Sequence, residues 1–239
     1  MCSNAGVKTV LYLVPTPIGN LKDITLRALE ILKAVDAVIC EDTRHTGRLL
    51  THFDIHKPLL SYHDHSGPNR AVEIASRLEA GETMALVSDA GTPLISDPGF
   101  PLVREALRRG VKIEALPGPS ALICALASSG LALNQFSFLG FLSNKGAQRR
   151  KALQAVSERE DTLVFYESPF RIPQFLADAL SVLGDREASV AREISKKFEE
   201  TSRGRLSELA AKFEKQKPRG EFVIVIAGHG QKAVLEGAQ

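Results

Sequence analysis

The sequence predicts two α/β domains, residues 7–117 with a mainly parallel sheet and residues 118–239 with a mixed sheet. In the first half, short apolar runs alternate with amphipathic stretches, a pattern typical of parallel strands joined by crossover helices. In the second half, some strands follow one another without a long helix between them, which indicates a mixed sheet. A Pro-Gly-Pro-Ser segment at residues 117–120 indicates a hinge between the halves.

The composition of the chain excludes some classes of protein and favours others. Of the 239 residues, 44% are hydrophobic and 24% charged, which is ordinary for a globular protein. The formal net charge of +2 excludes a generally polycationic binder but allows local basic patches. The three cysteines show no paired spacing, so we expect no disulfide framework and a reducing compartment. Since no secretory signal and no apolar run of membrane-spanning length is evident, we expect a cytoplasmic protein.

Each predicted strand of the first half delivers a loop to one edge of the sheet. The run Val10–Val14 is apolar throughout, as expected for a strand with both faces covered, and it ends in a stiff loop, Pro15–Asn20. Asp23 or Thr25 can cap the helix that follows, and Asn69 can cap a later one. The predicted strands are residues 10–14, 37–40, 59–62, 85–87 and 111–116, and the predicted helices are residues 26–35, 70–78 and 101–109.

The second half begins with a helix of small residues, Ala121–Ser129, which Ser120 can cap and Gly130 ends. Strands are predicted at residues 136–142, 162–166, 188–193 and 221–227. Two further helices are predicted around the apolar positions of residues 176–183 and 206–213. A polar link is expected between residues 193 and 206.

The segment L-V-S-D-A-G-T-P-L-I-S-D-P-G, residues 86–99, carries the strongest indication of a site. It starts as a buried strand and breaks into a loop with two carboxylates, Asp89 and Asp97. Loops at the carboxyl ends of strands bind ligands in open α/β sheets, and the small residues here permit close approach. We therefore expect a small-molecule pocket rather than a phosphate cradle. The alternative is a tight turn in which Asp89 caps its own backbone.

Several common catalytic motifs do not occur in the sequence. It contains no P-loop, no H-E-x-x-H, no G-x-S-x-G and no G-x-G-x-x-G after the first strand, so nucleotide hydrolysis and zinc chemistry lose most of their support. The run His63-Asp64-His65 is similar to a metal cluster, but adjacent residues on a strand point to opposite faces and no third ligand has a recognisable spacing. We interpret it as a polar loop and expect no metal.

Five motifs occur in order along the chain. They are V-P-T-P-I-G-N at residues 14–20, E-D-T-R at 41–44, S-D-A-G-T-P-L-I-S-D-P-G at 88–99, L-P-G-P-S-A at 116–121 and F-Y-E-S-P-F-R at 165–171. Together they resemble the tetrapyrrole methylase superfamily, most closely the branch that modifies ribosomal RNA. The first and central loops differ from those of the branch that modifies tetrapyrroles.

The resemblance implies a fold, a cofactor and a reaction. It implies two α/β domains with S-adenosylmethionine (S-adenosyl-L-methionine) in the cleft between them, and a homodimer. The implied reaction is methyl transfer to the ribose 2′-hydroxyl of a cytidine in the decoding region of small-subunit (16S) ribosomal RNA, in the 30S particle. By position, the implied cofactor contacts are Pro17, Asp89, Pro93, Leu94, Ile95, Ser120, Ala121, Leu142, Tyr166 and Glu167.

Transfer to a ribose hydroxyl requires alignment of that oxygen with the methyl group, and a base or a cation would help because the hydroxyl is a weak acid. Asp42 and His63 are the candidate bases, and Lys145 is the candidate cation. The alternative for Asp42 is an ion pair with Arg44 or Arg48.

Basic residues near the expected cleft are candidates for contacts with RNA phosphates. They are Arg44, Arg48, Lys145, Arg149, Arg150 and Lys151. The alternative for residues 148–151 is a solvated helix start. Phe141 can stack on a splayed base, or it belongs to the core.

Two other functions stay open from the sequence. A methyltransferase of a small, tetrapyrrole-like molecule or of a protein side chain would show no salt-sensitive RNA affinity and no loss on changing Arg149 and Arg150. A non-catalytic RNA-binding assembly factor would not need the cofactor, so Asp89→Ala would leave its function intact.

Overall fold

The computed structural model describes residues 9–63, 66–215 and 219–231. The chain divides after Ser120 into two compact units, here called unit 1 (up to Ser120) and unit 2 (from Ala121). Unit 1 contains a parallel sheet and unit 2 a mixed sheet, which confirms the predicted fold class.

Unit 1 is a parallel sheet covered by helices on both faces. Its strands are β1 (Val10–Val14), β2 (Ala37–Cys40), β3 (Leu59–Ser61), β4 (Met84–Val87) and β5 (Lys112–Ala115). They pair in the order β3-β2-β4-β1-β5, and every pair is parallel. The helices are α1 (Leu26–Ala34), α2 (Thr43–His52), α3 (Pro68–Glu79) and α4 (Phe100–Arg108).

The helices of unit 1 form two layers. Helices α1 and α2 pack on one face, where Leu32 of α1 shares a buried cluster with Val38. Leu78 of α3 and Leu102 of α4 share a cluster with Ile39 on the other face. Strands β2 and β4 are buried along their whole length, because neighbouring residues on a strand point to opposite faces and both faces are covered.

Helix starts in unit 1 follow local capping chemistry. The Thr25 hydroxyl accepts a hydrogen bond from the N–H of Ala28 (3.0 Å), so Thr25 is the cap of α1. Helix α3 begins at Pro68 after Gly67, and Asn69 lies in its first turn. The predicted Asn69 cap is therefore wrong, because the fixed φ of Pro68 suits the first helical position one residue earlier.

The sequence does not predict helix α2. Its first turn is polar, and its buried residues are Thr46, Leu49 and Leu50. Asp42 caps it, because the carboxylate accepts a hydrogen bond from the N–H of Arg44 (2.8 Å). A capped turn and a narrow apolar stripe are enough to form a helix directly after β2.

Unit 2 is a mixed sheet with helices on both faces. Its strands are β6 (Phe136–Phe141), β7 (Thr162–Glu167), β8 (Glu187–Arg192), β9 (Glu200–Arg205) and β10 (Phe222–Ile226). They pair in the order β6-β7-β10-β8-β9; the pair β6–β7 is parallel and the other pairs are antiparallel. The helices are α5 (Ala121–Ser128), α6 (Gly146–Gln154), α7 (Ile172–Leu183) and α8 (Leu206–Glu214).

The core of unit 2 lies on both sides of this sheet. Helices α6, α7 and α8 cover one face, where Phe175 packs edge-on against Phe165 with ring centroids 5.1 Å apart. Helix α5 covers the other face, where Leu126 shares a cluster with Val225. Each fully buried leucine or phenylalanine stabilises the fold by about 2 kcal/mol, so both layers contribute substantially.

Strand β9 lies where the sequence predicts a polar link. It is an edge strand that pairs with β8, and among its residues Ser202 is the buried one. Its sequence, E-T-S-R-G-R, carries no apolar alternation, because an edge strand can be exposed along most of its length. The predicted link is therefore wrong.

The next observations concern cysteines and possible membrane-spanning helices within residues 9–63, 66–215 and 219–231. Cys40 is buried, Cys124 is exposed, and both are free thiols. No helix in these ranges is long and apolar enough to cross a membrane.

An ion-pair network joins α3 to α4. Arg109, directly after α4, contacts Glu79 of α3 and Glu105 of α4, both at 2.7 Å, and Arg108 contacts Glu105 at 2.7 Å. Hydrogen bonds from Arg108 and then from Arg109 lower the pKa of Glu105 from 4.5 to about 2. Ionised Glu105 is thus favoured by the folded state.

This pKa predicts an acid sensitivity. A group whose pKa is lower in the folded state contributes stability above its unfolded pKa, here 4.5, and that contribution is lost as the pH falls towards 2. We expect the melting temperature to fall less steeply between pH 6 and pH 3 in Glu105→Gln than in the parent protein, and Glu30→Gln on the exposed side of α1 to behave as the parent. Parallel curves for the parent protein and Glu105→Gln would contradict this assignment.

Candidate functional site

The loops at the carboxyl end of the unit 1 sheet form the candidate site. Because its strands run parallel, their carboxyl ends lie at one edge. The helices that follow β1 and β2 cover one face, whereas those that follow β3 and β4 cover the other. The neighbouring strands β2 and β4 therefore continue into helices on opposite faces, and open α/β sheets bind ligands at such a point.

Hydrogen bonds hold the loops after β1 and β4 together. The backbone of Thr16 pairs with that of Gly91 in both directions, with N···O distances of 2.9 and 3.0 Å. The buried Thr16 hydroxyl donates to the carbonyl oxygen of Ser88 (3.0 Å), and the Ser88 hydroxyl donates to the carbonyl oxygen of Gly91 (2.9 Å). The predicted loop is thus fixed by Thr16, which the sequence analysis does not single out; its place between two prolines is the available signal.

The loop after β5 packs onto the same two loops. The Thr92 hydroxyl donates to the carbonyl oxygen of Pro119 (3.0 Å). A Cβ atom at Gly118 would lie 2.6 Å from Cβ of Pro15, so only glycine fits there. Gly91 has a φ of +84°, a conformation that glycine adopts without strain. These positions keep side chains out of the junction of the three loops.

The rest of the loop after β4 is strained. Leu94 and Ser96 have φ values of +72° and +68°, which are unfavourable for residues with a side chain. Gly99, with a φ of +130°, ends the loop. Pro93 is buried, whereas Ile95 is exposed. Such a backbone conformation costs of order 1–3 kcal/mol per residue and persists only where the surrounding contacts enforce it. Residues of this kind are found most often at ligand sites.

Asp89 lies beside the end of β2. Its Oδ1 atom is 3.4 Å from the backbone nitrogen of Asp42, which donates to it. Asp42 also pairs with Arg44 (2.9 Å), as the alternative interpretation of Asp42 predicts. Hydrogen bonds from the side chain and then the backbone of Arg44 lower the pKa of Asp42 to about 2, so its carboxylate is a weak proton acceptor at neutral pH. Burial raises the pKa of the nearby Cys40 thiol, and the charge of Asp89 raises it further.

The other unit 1 candidates lie along the same edge. His63 follows β3, is exposed, and donates its backbone N–H to the hydroxyl of Ser66 (2.9 Å). Asp64 and His65 lie outside the described residues, so the structure does not test the polar-loop interpretation. Among the described residues no group of three metal-ligating side chains occurs.

The cationic candidates of unit 1 lie on α2. Arg44 and Arg48 are exposed one helical turn apart, and residues four positions apart share one face of a helix. The Arg44 side chain is 87% exposed although it pairs with Asp42, so its guanidinium is accessible to a further anion.

In unit 2 the residues predicted to contact the cofactor lie at the ends of β6 and β7, except Ala121, the first residue of α5. Glu167 is buried; its Oε1 accepts from the N–H of Ser168 (2.7 Å) and pairs with Nε of Arg171 (2.7 Å). Its Oε2 is also buried and has no hydrogen-bond partner among the described residues. Leu142 accepts a long hydrogen bond from Arg171 (3.4 Å), and Tyr166 packs against the aromatic rings of β6.

The structure separates the basic residues of α6. The Arg149 guanidinium is buried and contacts Asp178 at 2.6 Å, so it is not available to an RNA phosphate, and we remove it from the phosphate-binding candidates. Asp178 also contacts Arg150 (3.0 Å), and half of the Arg150 side chain is exposed. Lys145 and Lys151 are exposed.

Comparison with known proteins places the chain in a family. The family of tetrapyrrole (corrin/porphyrin) methylases matches residues 10–210, and the chain therefore belongs to the tetrapyrrole methylase family. Its relatives include ribosomal RNA small subunit methyltransferase I of Synechocystis sp., 50% identical over 220 residues, which are 92% of this chain and 79% of that protein. The protein of the same name from Thermotoga maritima is 47% identical over 218 residues, 91% of this chain and 98% of that protein. The family resemblance inferred from the five motifs is confirmed.

Solved structures share the fold. The uroporphyrin-III C-methyltransferase of Thermus thermophilus, crystallised with S-adenosylhomocysteine, has a TM-score of 0.62 at 23% identity, and the match covers 92% of this chain and 97% of that one. At this identity the similarity establishes the fold alone.

The close packing of the three loops predicts that a methyl group added at Gly118 destabilises the protein. Gly118→Ala would place Cβ 2.6 Å from the Pro15 ring, so the loops after β1 and β5 must separate. We expect a loss of about 1–3 kcal/mol in the free energy of unfolding, measured by urea denaturation. Gly67→Ala is the matched control, because a Cβ there meets nothing within 4 Å. Equal stability of the two variants would show that the junction is loosely packed.

Proposed function

We propose that the protein is an S-adenosylmethionine-dependent methyltransferase that modifies the 2′-hydroxyl of a cytidine in small-subunit ribosomal RNA. The observation that carries the proposal is the near-50% identity, over nine-tenths of the chain, to proteins named ribosomal RNA small subunit methyltransferase I. A ribosomal substrate implies action in the cytoplasm. We further propose that the 30S particle is the substrate and that the protein is a homodimer.

The residues present fit S-adenosylmethionine. That molecule carries hydrogen-bond donors in its ammonium, ribose and adenine groups, and carboxylates accept such donors. The unpartnered Oε2 of buried Glu167 is an acceptor without a donor, a costly state that a ligand would relieve. In unit 1, Asp89 offers a carboxylate, and the glycines at 91 and 118 permit close approach of a ligand to backbone. When bound, S-adenosylmethionine supplies a methyl group activated by its sulfonium.

The protein's own part is to position the hydroxyl and to take up its proton. Of the two candidate bases, Asp42 is the weaker because its pKa is about 2 and its carboxylate is occupied by Arg44 and the cap of α2. We therefore assign the proton acceptor to His63 and retain Lys145 as the cation that stabilises the developing alkoxide. Arg44, Arg48, Lys145, Arg150 and Lys151 then contact RNA phosphates.

Labelled methyl transfer tests the proposal directly. We would incubate the protein with radiolabelled S-adenosylmethionine and either 30S particles or free ribosomal RNA from cells that lack this activity. We expect label in a single alkali-resistant dinucleotide, because a 2′-O-methyl group blocks alkaline cleavage of the adjacent bond. Binding of the cofactor without label in either RNA would favour a small-molecule or protein substrate.

A substitution in the loop after β4 separates an enzyme from an assembly factor. Asp89→Ala removes a carboxylate from the candidate cofactor loop, and we expect it to abolish methyl transfer and to weaken cofactor binding about 10-fold or more. Glu30→Ala, an exposed carboxylate on α1, is the control and should match the parent protein. Unchanged RNA binding with unchanged methylation in Asp89→Ala would contradict the assigned role.

Two histidines on either side of β3 test the proton acceptor. We expect His63→Ala to lower kcat about 100-fold or more, with KM for RNA nearly unchanged. His56 is exposed and precedes β3, so it lies at the opposite edge of the sheet, and His56→Ala should keep the parental kcat. A parental kcat in both variants would remove His63 from the chemistry.

A further inference from the structure

An exposed phenylalanine stands at the carboxyl end of β7. Phe170 is 87% exposed in the short loop between β7 and α7. Burying such a side chain is favourable, so a ring held in water is a place where a partner can gain affinity. Phe170 lies in the motif F-Y-E-S-P-F-R, but none of the functional roles predicted from the sequence falls on it.

The loop that carries Phe170 is fixed at both ends. Nε of Arg171 lies 2.7 Å from Oε1 of Glu167 and donates to the hydroxyl of Ser168 (3.1 Å), while its Nη1 reaches the carbonyl oxygen of Leu142 after β6 (3.4 Å). The backbone N–H of Arg171 also donates to the carbonyl oxygen of Ser168 (3.1 Å). The ring is thus presented on an ordered loop, and little conformational entropy is lost when it binds.

The surroundings of Phe170 match a surface for single-stranded nucleic acid. Strand β6 runs parallel to β7, so the end of β6 lies beside the Phe170 loop, and there Phe141 is 55% exposed with its ring 5.5 Å from that of Tyr166. Lys145 and Lys151, on the segment that follows β6, are exposed, and neither forms an ion pair with another described residue. Proteins bind single-stranded RNA by stacking bases on aromatic rings while cations contact the phosphates.

We propose that Phe170 is a base-stacking residue that holds an unpaired nucleotide of the RNA substrate, beside Phe141. Lys145 and Lys151 contact the neighbouring phosphates. This inference rests on the proposed function, since it names a binding determinant of the same RNA.

A second exposed phenylalanine in unit 2 provides a matched control. Phe198 is 66% exposed in the connection between β8 and β9, and Lys197 lies over its ring (5.6 Å). The charge of nearby Lys196 is neutralised by Glu193 (2.9 Å) and Glu221 (3.0 Å). Glu199 and Glu200 directly follow Phe198, so the carboxylates here at least balance Lys197 and Lys196, and we expect Phe198→Ala to leave RNA binding unchanged.

The salt dependence of binding distinguishes stacking from charge. We would measure Kd for a short single-stranded RNA of mixed sequence at several salt concentrations. Phe170→Ala should weaken binding roughly 5- to 100-fold at every concentration with an unchanged salt slope, because stacking releases no counterions. Phe170→Tyr should retain parental affinity. Lys151→Ala should reduce the slope by about 0.7, the value for one phosphate of a single strand.

Steady-state methylation of 30S particles completes the test. We expect Phe170→Ala to raise KM for the particle while the Kd for S-adenosylmethionine stays at the parental value. The proposal is overturned if Phe170→Ala binds and methylates RNA as the parent does, or if it loses cofactor binding as well. Failure of the parent protein to methylate either RNA would overturn the proposed function instead, and the oligonucleotide measurements on Phe170→Ala would still decide whether this ring stacks on RNA.

Discussion

Strand β4 is hydrogen-bonded on both sides, to β1 and to β2, and the three strands run in one direction. This pairing brings the loops that begin after residues 14, 40 and 87 to the same edge of the sheet. The chain leaves the neighbouring strands β2 and β4 towards opposite faces of the sheet, which is the arrangement that opens a ligand site at the edge of an α/β sheet. The candidate site is thus a consequence of strand order, and the residues in the loops determine only what it binds.

The arginine–carboxylate pairs of unit 2 fix the local structure, whereas its exposed cations are accessible to a ligand. Arg149 with Asp178 and Arg171 with Glu167 are buried or partly buried, and both arginines also reach carbonyl oxygens at the end of β6. Such pairs contribute little net stability, because desolvation offsets most of the attraction, but they fix geometry. Each pair removes one positive and one negative charge from the surface, so these two arginines do not add to the cations that an anionic ligand can reach.

The fold was largely predictable because its strands are strongly apolar. The runs at β1, β4 and β10 need no tertiary information, and the parallel and mixed character of the two sheets follows from the spacing of the elements. Helix α2 and strand β9 could not be found this way, because a helix held by the Asp42 cap and an edge strand that buries Ser202 have too few apolar residues to produce a periodic signal.

The candidate site was predictable as a segment but not as a set of contacts. The loop around Asp89 is recognisable from its prolines, glycines and carboxylates. Whether a cation can reach an anionic ligand depends on the tertiary structure. From the sequence, Arg149 and Lys151 are equally good candidates for a phosphate contact, and only the position of Asp178 shows that Arg149 already forms an ion pair. The burial of Oε2 of Glu167 and the bond from Arg171 to Leu142 that fixes the Phe170 loop are likewise set by the tertiary structure.

The bond between Thr16 and Gly91 has one more consequence. Pro15 and Pro17 flank Thr16, and neither has an N–H group. If the loop after β1 slipped by one residue in either direction, a proline would face the carbonyl oxygen of Gly91 and the bond could not form. The two prolines therefore exclude both of the adjacent alignments of the two loops.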